Sequence, residues 1–368
     1  MSLLTLDIAK CVRTTNKFSE CIACVTACPV ETIKIDEQLP SFIPNDCVGC
    51  GGCLSACPSD AYSLDDFNPM NFIFTFLESD SEEISCKKDA IPCLAALSVE
   101  EILSLSLLSS RDIIFDKTPC HECEIAKINL KIIEDRVEEV SFLLEAMSIE
   151  NKLTFEELSL ELSVKEDENS SDRREFLSKI SIKEAVKAKH KFTNSIESLD
   201  EELREHSASV DDIQNIRNKS IPDRRKLLQM AMKRAGVPEN FHVIESEDIS
   251  FISQKVLDAE SCTNCQMCYR ICPTGALSSD KYGGFIAFDA FNCIKCASCH
   301  DVCEPNSLTI KETFNLKELY KPKRETLVSF NIKRCDECGM PFVYRGGEVM
   351  CTRCRIEEEE ANELWGIK

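Results

Sequence analysis

Cysteine is the residue with the most chemistry to offer in this sequence. Twenty-four cysteines stand beside only 5 histidines and 11 glycines. They fall into blocks: eight between Cys11 and Cys57, four between Cys86 and Cys123, eight between Cys262 and Cys303, and four between Cys335 and Cys354. Each block holds a multiple of four, the number of thiolates that closes a tetrahedral metal site or encloses a metal cluster. The segment Met1-Ser-Leu-Leu-Thr-Leu-Asp7 shows neither a basic n-region nor an apolar h-region. The expectation is therefore a cytoplasmic chain whose thiols ligate metal rather than pair as disulfides.

Spacing narrows the chemistry. Cys262-x2-Cys265-x2-Cys268-x3-Cys272-Pro273 is followed by Cys293-x2-Cys296-x2-Cys299-x3-Cys303. Three thiolates two residues apart wrap one face of an iron–sulfur cube, and the fourth reaches the other cluster of a pair. That crossing assigns Cys262, Cys265, Cys268 and Cys303 to one [4Fe–4S] cluster and Cys293, Cys296, Cys299 and Cys272 to another. Paired C-x2-C units also bind zinc, but zinc sites seldom use four cysteines in so short a run, twice over. The earlier array repeats the plan with one change. Cys47-x2-Cys50-x2-Cys53-x3-Cys57-Pro58 is regular, whereas Cys11 stands nine residues ahead of Cys21-x2-Cys24-x3-Cys28-Pro29. The expected sets are Cys11, Cys21, Cys24 with Cys57, and Cys47, Cys50, Cys53 with Cys28. If Cys11 is a bystander, its cluster has three irons. Thr274-Gly-Ala276 and Gly283-Gly284 suit tight turns beside a cluster.

Through these two arrays, residues 5–68 and 255–315 resemble the bacterial-type two-cluster ferredoxins. The long spacing after Cys11, and Glu304 ahead of Pro305, are the departures. The resemblance implies a βαββαβ fold, paired [4Fe–4S] clusters and one-electron transfer at low potential. The whole layout is similar to polyferredoxins and to ferredoxin-type proteins that accompany formate dehydrogenases and hydrogenases.

Two blocks are less plain. Cys335-x2-Cys338-Gly339 with Cys351-x2-Cys354 reads as a zinc ribbon, with Gly346-Gly347 turning between its strands. A rubredoxin-like single iron would use the same ligands. Cys86-x6-Cys93 and Cys120-x2-Cys123 weakly resemble thioredoxin-like [2Fe–2S] ferredoxins. A fifth iron–sulfur cluster, zinc or ordinary thiols remain open there. His121 could replace a ligand or sit exposed on its loop. His300, beside Cys299, could tune a cluster by hydrogen bonding. His190, His206 and His242 read as solvated.

The elements that must position these residues are α and β mixed. Thr32–Ile35 and Ser41–Ile43 form the hairpin between the halves of the first array. Asn71-Phe-Ile-Phe-Thr-Phe-Leu77 reads as a strand, Ser98-Val-Glu-Glu101 as a capping box opening a helix over Ile102–Leu108, and Asp112–Phe115 as a second strand, together a small βαβ unit. Apolar residues from Ile125 to Met147 recur at helical spacing. A charged linker over 165–172, a helix over about 175–190 and a helix from Pro222 to Gly236 follow. The fold class is thus α+β. Two dicluster modules (1–68 and 255–315) are joined through a βαβ unit (69–124) and a helical scaffold (125–254). A zinc-ribbon-like or rubredoxin-like module (325–368) ends the chain.

Composition limits the function. Hydrophobic residues make up 43% of the 368, enough for packed cores. Acidic residues number 64 against 43 basic, a net charge of −21, which argues against nucleic-acid binding. Four clusters and a four-thiolate zinc would take this to about −31. The longest apolar stretch, Ile91 to Ser109, carries Glu100 and Glu101 and does not span a bilayer. Ser171–Lys179 resembles a twin-arginine export sequence, but no apolar segment follows it. No G-x-G-x-x-G, G-x-x-x-x-G-K-[ST], H-E-x-x-H or G-x-S-x-G occurs at a strand–helix junction. Clusters with four protein ligands conduct electrons rather than bind substrate, so the expectation is no enzyme but an electron carrier. It would relay low-potential electrons between a dehydrogenase of formate dehydrogenase or hydrogenase type and an acceptor, through a partner with a basic docking surface. The alternatives are an assembly or maturation factor for a metalloenzyme, and an enzyme using the Cys86–Cys123 block. The Glu357–Glu360 run reads as a solvated helix face, and Trp365 as a partner anchor or as packing on the C-terminal module.

Overall fold

The computed structural model describes residues 4–86, 91–109, 111–157, 219–238 and 240–366. The expected linker over 165–172, the helix over 175–190, the twin-arginine resemblance, His190 and His206 lie outside them.

Two regions repeat one plan. In the first, Leu4–Leu6 pairs antiparallel with Tyr62–Leu64, and Ile33–Asp36 pairs with Leu39–Phe42. The short helices Ala23–Thr26 and Gly52–Ala56 lie between these strands in the chain, giving βαββαβ. In the second, Lys255–Leu257 pairs with Leu308–Ile310, and Leu277–Ser278 with Phe285–Asp289, with helices Met267–Ile271 and Ser298–Asp301 between them. This second sheet is widened by Arg324–Ser329, which pairs along Phe285–Asp289.

A parallel three-stranded sheet stands between these regions in the chain. Glu83–Ser85, Ile113–Asp116 and Leu153–Glu156 align in that order. Its first crossover helix, Val99–Ser109, is buried at every position from Val99 to Leu107, and its buried polar groups are matched where Glu100 pairs with Arg225 and Ser104 donates to the Glu100 carbonyl. The Ser98 capping box forms as the sequence predicts: Glu101 Oε2 accepts from the Ser98 N–H at 2.7 Å, and the Glu101 N–H donates to Ser98 Oγ at 3.4 Å. The second crossover is the 21-residue helix Ala126–Ala146.

One element differs from the sequence reading. Asn71–Leu77 is part of a helix, Pro69–Glu78, and the first strand of the unit is Glu83–Ser85. The alternating phenylalanines suggest a strand, but Pro69 occupies the first helical turn and Asn68 Oδ1 accepts from the Asn71 N–H at 3.0 Å. Phe72, Ile73 and Phe76 then share the buried face. The helix after Pro222 runs over Asp223–Ala235 and stops at Gly236, whose φ is +78°. No helix among the described residues is long and apolar enough to cross a membrane.

Candidate metal centres

None of the 24 cysteines is in a disulfide. In each regular C-x2-C-x2-C run the residues flanking the middle cysteine are left-handed: Gly49 and Gly51, Asn264 and Gln266, Lys295 and Ala297, with φ from +49° to +76°. Such turns aim successive backbone N–H groups to one side, a concavity suited to anionic sulfur.

The thiols gather in sets. Burial, then Cys265, Cys262 and Cys303, pushes Cys268 up to about 12. Burial, then Cys272 and Cys293, does the same to Cys296, up to about 12. In the first region burial raises Cys53, helped by Cys50, Cys47 and Cys28. Burial also raises Cys24, helped by Cys57, Cys21 and Cys11. The displaced Cys11 thus stands beside Cys21, Cys24 and Cys57. It is held by the short helix Val12–Thr15, whose Arg13 donates to the Cys21 carbonyl at 2.9 Å. Four thiols that oppose one another's ionisation form the donor set that a cationic iron core relieves.

Hydroxyl oxygens sit beside some of these sulfurs. Ser59 Oγ lies 3.6 Å from Cys57 Sγ, Thr274 Oγ1 3.7 Å from Cys272 Sγ and Ser253 Oγ 3.4 Å from Cys293 Sγ. His300 does not act this way. Its Nδ1 meets the Leu308 carbonyl at 3.0 Å and its Nε2 meets Lys255 Nζ at 2.7 Å.

Both arrays contribute to one cleft of about 630 Å³, whose lining includes Cys21 from the first and Cys296 from the second. Buried Asn16 joins the two regions directly, donating to the Ser298 carbonyl at 3.3 Å. Two consecutive arginines of the Asp223–Ala235 helix fix the arrangement. Arg224 donates to the carbonyls of Leu54, Ser55 and Cys57 at 3.0, 2.8 and 2.6 Å and pairs with Asp60. Arg225, fully buried, donates to the carbonyls of Phe251 and Cys293 at 2.8 and 2.9 Å and to that of Phe291, and pairs with Glu100. Sequence reasoning assigned this helix a spacing role and missed both arginines. The signal was present: Arg224 and Arg225 extend the stripe of Leu227, Leu228, Ala231 and Met232, all buried.

The C-terminal block is tighter. The Sγ atoms of Cys335, Cys338, Cys351 and Cys354 all lie within 4.8 Å of one another, the one group of three or more such ligands this close among the described residues. Zn–S bonds of about 2.3 Å set thiolates about 3.8 Å apart in a tetrahedron; Cys338 and Cys351 are at 3.7 Å. Backbone N–H groups of Cys338 and Cys351 hold Cys335 below the usual thiol range, which favours the thiolate form that a metal takes. The donor set fits one zinc or one iron. The first pair lies in the turn between Ile332–Arg334 and Pro341–Val343, and the second opens the helix Thr352–Trp365. Gly346 and Gly347 come after the hairpin rather than at its turn. Arg345 ties this block to the second array, donating to the carbonyls of Glu260 and Cys262 at 3.1 and 2.5 Å. Trp365 is 75% exposed and does not pack on the block.

Cys86, Cys93, Cys120 and Cys123 also converge. Burial, then Cys86, Cys93 and Cys123, pushes Cys120 up to about 11. His121 sits exposed on its loop, 3.2 Å from Glu157.

A comparison with known protein families matches the 4Fe-4S dicluster domain twice, over residues 18–63 and 254–304. A search of curated proteins finds no match to the chain. Both matched stretches fall on the βαββαβ regions, and together they give four [4Fe–4S] clusters. The chain thus carries two dicluster domains of the 2[4Fe–4S] ferredoxin-like superfamily, and its role is iron–sulfur electron transfer.

Proposed function

We propose that this chain is an electron relay whose four clusters form one row. The sets in order are Cys262, Cys265, Cys268 and Cys303; then Cys272, Cys293, Cys296 and Cys299; then Cys11, Cys21, Cys24 and Cys57; then Cys28, Cys47, Cys50 and Cys53. The observation that carries this reading is that Cys21 of the first module and Cys296 of the second line the same cleft. The innermost cluster of each module then faces its counterpart across a short gap. Each cluster takes one electron, so the row can accept the pair released by a two-electron donor one at a time. The iron–sulfur centres supply the redox chemistry. The protein holds them apart, buries them and sets their hydrogen bonds.

The donor is a dehydrogenase of formate dehydrogenase or hydrogenase type, a choice resting on the similarity of the cysteine layout alone. The chain acts in the reducing cytoplasm, where 24 unpaired thiols are kept for metal. Its acidity favours a partner with a basic docking face, and their association weakens as salt rises. The C-terminal block holds a redox-silent zinc.

Reductive titration of the fully iron-loaded protein, followed by EPR, tests the relay. Uptake of at least about four electrons per chain is expected; fewer overturns it. A purified protein that exchanges no electrons with a low-potential donor would favour the assembly-factor reading instead.

A further inference from the structure

Four thiols outside both dicluster domains are brought together by the parallel sheet. Cys86 directly follows the strand Glu83–Ser85. Cys120 and Cys123 lie on the turn that follows Ile113–Asp116. Because these strands are parallel, their carboxyl ends share one edge, where open α/β sheets hold their ligands. Ser85 Oγ donates to Asp116 Oδ2 at 2.7 Å and pins the two ends together. Cys93 reaches the same edge from the connection leading to the Val99–Ser109 helix, at the start of the turn Leu94–Ala96.

The second observation is Asn129, on the helix Ala126–Ala146. It is 2% exposed. Its Nδ2 donates to Cys93 Sγ at 3.4 Å, while its Oδ1 has no partner. The same side chain also hydrogen-bonds Cys50, which stands close enough to feel the charge of Cys93. A buried amide donor shared between two sulfurs is an unusual use of asparagine in a core, where each polar atom left unmatched is unfavourable. Anionic sulfur on both sides gives it a purpose.

We infer that Cys86, Cys93, Cys120 and Cys123 ligate a fifth iron–sulfur cluster, joined to the Cys28–Cys47–Cys50–Cys53 end of the row across Asn129. Spacing separates this from zinc. A single tetrahedral ion needs sulfurs about 3.8 Å apart. The C-terminal block meets that limit, whereas this set is not gathered within 4.8 Å. The wider set suits a core of several irons. The step is a single electron transfer: the neighbouring cluster is oxidised by one electron, the fifth is reduced by one, and no atom or proton is exchanged. This extends the proposed relay, yet ligation of the cluster does not depend on it.

The test uses the full-length protein, anaerobically loaded with iron and sulfide. Wild type is compared with Cys120→Ser and Cys93→Ser by iron, sulfide and zinc analysis, and by EPR. Each variant should lose about two to four irons with matching sulfide. The signals of the dicluster domains should remain, and reductive titration should fall by one electron. Iron equal to wild type, or loss of a stoichiometric zinc, overturns the proposal. Failure of the dicluster signals themselves to take up electrons would instead sink the relay and leave this iron count intact. Because Cys93 is the more buried, Cys120→Ser decides if Cys93→Ser misfolds. Asn129→Leu probes the junction. Iron should stay, while the potential of the fifth cluster falls and its magnetic coupling to the neighbour changes. An unchanged potential and unchanged coupling would remove Asn129 from the path.

Discussion

The two dicluster modules share a strand order and a left-handed turn around each middle cysteine, but their surroundings differ. The first is walled by the parallel α/β unit and by Arg136, which donates to Ser55 Oγ and to the carbonyls of Ala95 and Leu97 at 2.7–2.8 Å. The second leaves Cys265 exposed at its outer end. Glycine placement follows that difference. Gly51, Gln266 and Ala297 hold equivalent positions with φ of +76°, +69° and +60°. The backbone shape alone therefore does not demand glycine. Only at Gly51 would a Cβ collide, 2.7 Å from Ala96 Cβ. Enclosure, not cluster binding, selects glycine there. In the proposed relay, that difference would make the exposed module the end open to a partner.

The most disruptive way to break the comparison is to unlock the helix between the modules. Arg225→Met would leave Glu100 buried without its counter-charge and strand the carbonyls of Phe251 and Cys293. A loss of roughly 3–5 kcal/mol is expected, read as a lower denaturation midpoint by circular dichroism. Slower electron equilibration between the two modules should accompany it. An unchanged midpoint would show that the modules hold together without the arginine.

A smaller effect isolates enclosure itself. Gly51→Ala should destabilise by roughly 1–3 kcal/mol, because the added methyl meets Ala96 in a packed interior. Ala297→Gly, in the same backbone shape, should stay within about 1 kcal/mol of wild type. Equal losses at the two sites would contradict the argument that the neighbour, rather than φ, decides.

The smallest expected effect sharpens a likeness between the modules. In the proposed row, the two cysteines that cross to the inner clusters, Cys57 and Cys272, are each followed two residues later by a hydroxyl, Ser59 or Thr274. Cys28 and Cys303, which cross to the outer clusters, are followed by Val30 and Pro305. A hydroxyl donating to sulfur favours the reduced, more negative cluster. Thr274 spends its proton on the Asn292 carbonyl at 2.6 Å, so the test falls on Ser59. Ser59→Ala should lower the potential of the cluster that holds Cys57 and leave the iron content unchanged, as measured by EPR-monitored redox titration. A potential that stays put would mean the 3.6 Å contact does not donate.

Much of this site was legible from spacing alone. The C-x2-C-x2-C-x3-C runs locate the thiols because a cube of fixed size leaves the chain little choice of spacing, and the hairpin and the Ser98 capping box follow from local chemistry. Local pattern failed where a longer-range packing decision ruled. Phe72, Phe74 and Phe76 alternate as in a strand, yet Pro69 and Asn68 start a helix. The last strand of the parallel sheet, Leu153–Glu156, is too short and too polar to announce itself. Arg224, Arg225 and Asn129 drew no expectation: the apolar stripe hints that the two arginines are buried, but their partners lie far away in sequence and no local pattern names them.

That remoteness sets an order of events during synthesis. Arg224 closes on carbonyls made 167 to 170 residues before it, at Cys57 and Leu54. Arg225 waits for carbonyls 66 and 68 residues after it. At roughly 5–20 residues per second, the N-terminal thiols spend on the order of ten seconds or more without their clamp, and the second array emerges later still. The first module is therefore complete in sequence well before the helix that ties it to the second can dock.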